Sequence, residues 1–233
     1  MTKNSLIDKE AMGTQIELTA SDGATISAYR ADPAGKPRGA VIVCQEIFGV
    51  NVHIRSVCDR YAQEGYLAIA PAFFDRVQPG VELGYEPDDI AQGRVLMQKS
   101  SIDNALKDVA AAAAVASEAG KVGIIGYCWG GTVAWAAASS LDGLSAAVPY
   151  YGGGIAAIAD RKPRIPTMAH FGDTDHSIPL SDVEKIRAAQ PDVIVHVYQA
   201  GHGFNCDMRG SYDKPSADLA LSRTLEFLHE HVG

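Results

Sequence analysis

The sequence predicts an α/β fold with a doubly wound, mostly parallel sheet and helices on both faces. First, short apolar segments alternate with longer helical segments along the whole chain. Second, several short segments are nearly continuous Val/Ile/Ala/Gly runs, as in strands that are buried on both faces. Third, two alternating segments flank Ser21-Asp22-Gly23, a turn signal typical of an antiparallel hairpin. We therefore expect an N-terminal antiparallel hairpin at one edge of the sheet.

Thirteen segments follow this alternation. The predicted strands are 15–19, 25–31, 39–44, 67–70, 122–126, 146–150, 167–171 and 194–198. The predicted helices are 53–64, 103–117, 129–141, 180–189 and 217–231. In the last helix, Leu221, Leu225 and Leu228 form one apolar stripe. Ligands of such sheets bind beyond the carboxyl ends of the strands, so the candidate functional residues are those that directly follow a strand.

Length and composition indicate one globular domain spanning residues 1–233. The chain has 47% apolar and 21% charged residues, which supplies ample material for a core. The net charge is −8, and we find no basic run, so a nucleic-acid partner is not expected. The partner that we expect is a small molecule, and we predict a monomer.

The sequence does not predict export or membrane insertion. The N-terminal residues 1–10 contain no apolar segment of the kind that a signal peptide needs. The longest apolar stretch, 109–116, is far too short to span a bilayer. The four cysteines show no paired spacing, and thiols are the default without an export signal. We expect a cytoplasmic protein with reduced cysteines.

The strongest local motif is Gly126-Tyr127-Cys128-Trp129-Gly130, where a predicted strand runs directly into an Ala-rich helix. A sharp strand–nucleophile–helix turn needs small residues two before and two after the nucleophile. The helix N-terminus favours a thiolate at Cys128, and the N–H of Trp129 is placed to donate to an oxyanion. The alternative without a catalytic role is a small buried cysteine in a Gly-rich turn. The fingerprints of dinucleotide and Walker A sites are absent.

A thiol nucleophile needs a base and an orienting acid, and the last third of the chain offers both. His202 stands between two glycines after the last predicted strand, and Asp175 follows the strand before it. The order nucleophile, acid, histidine is that of α/β-hydrolases. Asp173 competes with Asp175, and spacing alone does not exclude it. A metal set of His170, Asp173, Asp175 and His176 lacks a third ligand at convincing spacing, so no metal is predicted.

The segment after the third predicted strand supplies two further candidates. In α/β-hydrolases the loop at this place gives the second oxyanion N–H, which here belongs to Ile47. Glu46 is a carboxylate among apolar neighbours at the mouth of a buried strand. It is either a capping or surface charge, or it faces Cys128 and holds or removes the thiol proton.

These motifs resemble the dienelactone hydrolase family, whose founding activity is carboxymethylenebutenolidase. The resemblance covers about residues 14 to 231. It lies in Gln45-Glu46-Ile47-Phe48-Gly49-Val50-Asn51, Gly65-Tyr66, Ala70-Pro71, Gly126-Tyr127-Cys128-Trp129-Gly130-Gly131, the Gly172-x-x-Asp175 turn and Gly201-His202-Gly203-Phe204.

The resemblance implies an α/β-hydrolase fold and a Cys128–His202–Asp175 triad, with Glu46 hydrogen-bonded to the resting thiol. It also implies that the N–H groups of Ile47 and Trp129 hold the oxyanion. The thiolate attacks a lactone, an enolate leaves, and water cleaves the thioester. The family converts dienelactone to maleylacetate in the breakdown of chlorinated aromatics, without a metal or an organic cofactor.

The sequence departs from the family where two arginines bind the substrate carboxylate. Arg94 is our candidate for the first arginine and Arg209 for the second, which lies further beyond His202 than the family places it. Cys206 stands near the usual clamp position, and Arg76 is a weaker third candidate. The substrate could therefore be another small ester. A non-catalytic ligand-binding module on the same fold is the alternative outside enzymes. The segment 88–101 and the hairpin are candidates for shaping an entrance.

Overall fold

The computed structural model describes residues 13–233, in which the strands form one eight-stranded sheet. The first ten residues, where we expect no signal peptide, lie outside this range. The sheet order is β1-β2-β4-β3-β5-β6-β7-β8. The strands are β1 (Gly13–Thr19), β2 (Thr25–Ala31), β3 (Ala40–Cys44), β4 (Leu67–Pro71), β5 (Val122–Tyr127), β6 (Ala146–Tyr150), β7 (Met168–Gly172) and β8 (Ile194–Tyr198).

The predicted antiparallel edge is confirmed. β1 pairs with β2 from Gly13↔Ala31 to Thr19↔Thr25, and β2 pairs antiparallel with β4. All the other pairs of neighbouring strands are parallel. Gly23 has a φ of +81° in the turn of the hairpin, a conformation that glycine adopts without a steric penalty.

Helices cover both faces of the sheet and bury two apolar clusters against it. They are α1 (Val52–Gln63), α2 (Pro87–Lys99), α3 (Ile102–Ala116), α4 (Trp129–Ser140), α5 (Leu180–Ala189) and α6 (Lys214–His231). One cluster takes apolar side chains from α1, α5 and α6, and the other takes them from α2, α3 and most of α4. β3, β5 and β7 are buried at every position, as their apolar runs predict. The predicted fold class is confirmed.

The sequence does not predict the helix α2, and segment 88–101 is there only a candidate for shaping an entrance. Its buried residues are only Gly93 and Leu96, which is too few to make an apolar stripe. The signals that were present lie at its start. Pro87 is the first helical residue, and the Asp89 carboxylate accepts a hydrogen bond of 3.1 Å from the N–H of Glu86.

The parallel strands bring four loops to the same edge of the sheet. The segments that follow β3, β5, β7 and β8 carry Glu46, Cys128, Asp175 and His202 respectively. Because parallel strands end at a common edge, residues far apart in sequence meet there. Between residues 13 and 233, no helix has the length and apolar character needed to cross a membrane.

Candidate active site

Cys128 sits in a strained turn between β5 and α4. Its φ is +55° and its ψ is −119°, a backbone conformation that non-glycine residues rarely adopt. A Cβ on Gly126 would lie 1.9 Å from the carbonyl oxygen of Gly130, and a Cβ on Gly130 would lie 2.4 Å from that of Cys44. The two glycines are therefore required by the close approach of three backbone segments. The turn presents Cys128 partly exposed at the start of α4.

His202 is held by Asp175 and not by Asp173. The distance from His202 Nδ1 to Asp175 Oδ2 is 2.7 Å, and the Asp175 side chain is fully buried. The other oxygen of Asp175 accepts hydrogen bonds from the N–H groups of Ser177 and Ile178, at 2.8 and 3.2 Å. Asp173 is exposed. Asp175 is thus oriented from both sides, which leaves its Oδ2 pointing at the imidazole.

The electrostatics of His202 favour its protonated form. Burial by itself lowers the pKa of this imidazole, but the hydrogen bond with Asp175 and the sulfur of Cys128 outweigh burial and raise the pKa to about 10. The Cys128 sulfur is thus among the groups that act on the His202 imidazole, and both residues line the same cavity. This arrangement suits a thiolate–imidazolium pair, in which the histidine takes the thiol proton and later returns it.

Cys128 and His202 open into one cavity of about 640 Å³, a size typical of sites for small organic ligands. The apolar side chains of its wall belong to Ile47, Phe48, Ile90, Met97, Ile102 and Trp129. Four of the residues that line it, Ile90, Arg94, Met97 and Gln98, come from α2. The helix α2, which the sequence does not predict, thus forms part of the cavity wall.

The N–H groups of Ile47 and Trp129 are the donors that the sequence predicts for the oxyanion. Both residues line the cavity, and neither N–H donates to a backbone acceptor within residues 13–233. Two unused donors beside a nucleophile can stabilise a negative oxygen. Gly93 of α2 packs against this loop so closely that a Cβ there would lie 2.2 Å from the carbonyl oxygen of Ile47.

Glu46 is bound away from the thiol. Its Oε1 accepts a hydrogen bond of 3.0 Å from Arg209 Nη1, and its Oε2 accepts a longer one of 3.4 Å from the Tyr85 hydroxyl. The carboxylate is 1% exposed, so Glu46 is not the surface charge that was one alternative in the sequence. Both of its oxygens have partners other than Cys128 in this structure. The thiol contact implied by the family resemblance would need Glu46 to change its partners.

The three candidate arginines have different environments. Arg94 is exposed, lines the cavity, and forms no ion pair with another described residue. Arg209 also lines the cavity, but its guanidinium is paired with Glu46. Arg76 pairs with Asp108 and Asp22 and is not part of the cavity wall. Of the three, Arg94 has a charge that is free to meet a ligand.

A second polar cluster lies beside Glu46, and sequence reasoning missed it. Cys206, a candidate for the clamp position in the sequence, is fully buried, does not line the cavity, and lies near Glu46 and His53. His53 was given no role in the sequence, because a single histidine in the first turn of α1 carries no motif. The set His170, Asp173, Asp175 and His176 does not form a metal cluster among the described residues.

Comparisons with known proteins identify the family of this chain. A model of the dienelactone hydrolase family matches residues 26–232. A carboxymethylenebutenolidase from Pseudomonas putida is 33% identical over 226 residues, which cover 91% of this chain and 94% of the relative. A protein of Synechocystis sp. named "Putative carboxymethylenebutenolidase" is 39% identical over 228 residues, which cover 89% of this chain and 92% of the relative.

The fold has a close match among solved structures. A crystal structure titled "Putative Dienelactone Hydrolase" from Klebsiella pneumoniae superimposes with a TM-score of 0.83 at 34% identity, covering 94% of this chain and 99% of that one. The predicted α/β-hydrolase fold is confirmed. The chain belongs to the dienelactone hydrolase family, whose members are hydrolases of lactones and esters.

Proposed function

We propose that this protein is a cysteine-dependent hydrolase of small lactones or carboxylic esters that bear a carboxylate, with dienelactone as substrate and maleylacetate as product. The observation that carries the proposal is that Cys128 and His202 line one cavity, and that buried Asp175 holds the histidine at 2.7 Å. Membership of the family supports the reaction class.

In the first half of the reaction the thiolate of Cys128 attacks the lactone carbonyl carbon and forms a carbon–sulfur bond. The carbonyl oxygen becomes negative and accepts hydrogen bonds from the N–H groups of Ile47 and Trp129. The ring carbon–oxygen bond then breaks and releases an enolate. A proton from the imidazolium of His202 is available to the leaving group, and the enol relaxes to a ketone.

In the second half, water hydrolyses the thioester. His202, now neutral, takes a proton from the water as it attacks the thioester carbonyl carbon, and the carbon–sulfur bond breaks. The products are a carboxylate and the regenerated thiol. Asp175 keeps the imidazole in one orientation and stabilises its charged form throughout. Arg94 binds the substrate carboxylate, because it is the cavity arginine without an internal partner.

The test compares hydrolysis of cis- and trans-dienelactone with that of simple aryl esters. We expect the lactones to be preferred, and Cys128→Ala to lower kcat by roughly 10⁴-fold or more. Cys58→Ala, which alters a buried thiol of α1, serves as the control and should keep kcat near that of the wild type. Intact-mass measurement with a slow ester should show a transient acyl adduct on the wild type.

Two outcomes would contradict the proposal. Lactone and ester hydrolysis at the wild-type rate by Cys128→Ala would remove the thiol from the reaction. Binding of these compounds without any turnover or adduct would favour the ligand-binding module. Turnover of aryl esters but of neither lactone would keep the mechanism and replace the substrate.

A further inference from the structure

The second polar cluster contains three side chains whose donor atoms are of the types that transition metals prefer. They are the carboxylate of Glu46, the imidazole of His53 and the thiol of Cys206. One atom from each residue lies within 4.8 Å of the other two, and all three residues are buried. Cys206 and His53 are far apart in the sequence, and the fold brings them together next to Glu46.

An orphaned nitrogen in this cluster points to a ligand. His53 is 1% exposed, and its Nε2 has no hydrogen-bond partner among the described residues. A buried polar atom without a partner costs free energy, so such atoms are rare and call for an explanation. Its other nitrogen, Nδ1, lies 3.2 Å from Oδ1 of Asp207. Burial lowers the pKa of His53, but Asp207, Cys206 and Glu46 outweigh burial and raise the pKa to about 9. A metal ion therefore has to displace the proton on Nε2, which then offers its lone pair while Nδ1–H donates to Asp207.

We propose that Glu46, His53 and Cys206 form a binding site for a divalent metal ion of the zinc type, distinct from Cys128. Thiolate, imidazole and carboxylate are the ligands that Zn²⁺ takes in proteins, and three of them with one water complete a tetrahedron. Asp207 supplies the outer carboxylate that orients a ligating histidine. Binding releases the thiol proton of Cys206, which leaves the metal–thiolate pair with no uncompensated negative charge.

The metal and Arg209 compete for one carboxylate. Arg209 Nη1 is 3.0 Å from Glu46 Oε1, and a metal at the cluster would draw Glu46 towards His53 and Cys206. On the proposed function, Cys128 is the nucleophile, and the family resemblance implies that Glu46 contacts its resting thiol. Metal binding would therefore lower turnover without touching Cys128. The site itself does not depend on that function.

The test uses Co²⁺ as a spectroscopic substitute for Zn²⁺. Cys128→Ala protein is titrated with Co²⁺ in the presence of a phosphine reductant, so that neither the nucleophile nor an added thiol can bind the metal. We expect a thiolate-to-cobalt charge-transfer band that saturates at one equivalent and disappears on adding excess Zn²⁺. Cys206→Ser in this background should abolish the band, and Cys58→Ala should keep it. Melting curves without metal establish that each variant is folded.

A second measurement addresses the histidine and its outer partner. By calorimetry with Zn²⁺ in the Cys128→Ala background, Asp207→Asn should weaken binding by about 10–100-fold, and His53→Gln by at least as much. The proposal is overturned if the Cys128→Ala protein gives no thiolate band. It is equally overturned if the band survives Cys206→Ser. Because the readout is binding, these results are independent of whether the protein hydrolyses lactones.

Discussion

The guanidinium of Arg209 lies 3.0 Å from the carboxylate of Glu46, joining the loop after the last strand to the loop after β3. The same guanidinium stands over the rings of Phe48 and Tyr85, at 5.6 and 5.9 Å from their centroids. A Cβ on Gly203 would lie 2.4 Å from Arg209 Nη1. The glycine beside His202 thus makes room for the cation that holds Glu46.

Removing one partner of the Arg209–Glu46 pair should lower the free energy of unfolding more than removing both partners does. Arg209→Gln leaves a buried carboxylate without its cation, which destabilises a protein by about 3–5 kcal/mol. Adding Glu46→Gln removes the uncompensated charge, so the double variant should be more stable than the sum of the single changes predicts. Urea unfolding of the four proteins measures this coupling. Strictly additive losses would mean that the two groups do not interact.

The Asp175–His202 contact should matter for turnover. Asp175→Asn preserves the shape of the side chain but removes the charge that favours the imidazolium, so we expect kcat to fall by roughly 10²–10⁴-fold. Asp173→Asn is the matched control, because Asp173 is exposed two residues away, and it should change kcat little. Steady-state kinetics of both variants with one aryl ester measure the two values of kcat. A larger loss in Asp173→Asn would reverse the assignment.

The same contact should make stability depend on pH in a definite direction. The pKa of His202 is raised from 6.5 to about 10, so the folded protein binds this proton more tightly than the unfolded chain does. The stabilisation is fully present below pH 6.5 and is lost as the pH rises through about 10. The difference in unfolding free energy between wild type and Asp175→Asn should shrink across this range. A difference that grows with pH would contradict the assignment.

Gly93→Ala tests the packing of α2 on the oxyanion loop. In an exposed helix this change stabilises a protein by about 1 kcal/mol. Here the new Cβ would lie 2.2 Å from the backbone carbonyl oxygen of Ile47, so we expect a lower melting temperature and a lower kcat. Gly210→Ala is the control, since nothing lies within 4 Å of its added Cβ. An unchanged melting temperature and kcat in Gly93→Ala would show that the loop accommodates the added methyl group without loss of stability or activity.

Arg94 should strengthen the binding of substrates that carry a carboxylate. Arg94→Gln is expected to raise KM for dienelactone by about 10-fold or more, since a charged hydrogen bond contributes about 1.5–3 kcal/mol. It should leave KM for an uncharged aryl ester nearly unchanged. Lys99→Gln removes a positive charge from the same helix outside the cavity wall and controls for the overall field. Equal effects of Arg94→Gln on both substrates would rule out a carboxylate contact.

The sequence by itself determined the sheet, the turn at Cys128 and the order of the chemical groups. Apolar runs of strand length, and glycines two before and two after Cys128, are local signals that survive without tertiary information. The helix α2 was missed because its packing rests on a glycine and one leucine, so its apolar periodicity is weak. Its local signals are the capping residues Glu86, Pro87 and Asp89.

Only the tertiary structure decided which charges face each other. Spacing favoured Asp175 without excluding Asp173, and the direction of the chain after β7 buries Asp175 and exposes Asp173. The sequence left Glu46 either as a capping or surface charge or as a partner of the thiol, and the structure instead buries it against Arg209. Cys206 and His53 are more than 150 residues apart. No local pattern encodes their meeting, because such contacts depend on how whole elements pack.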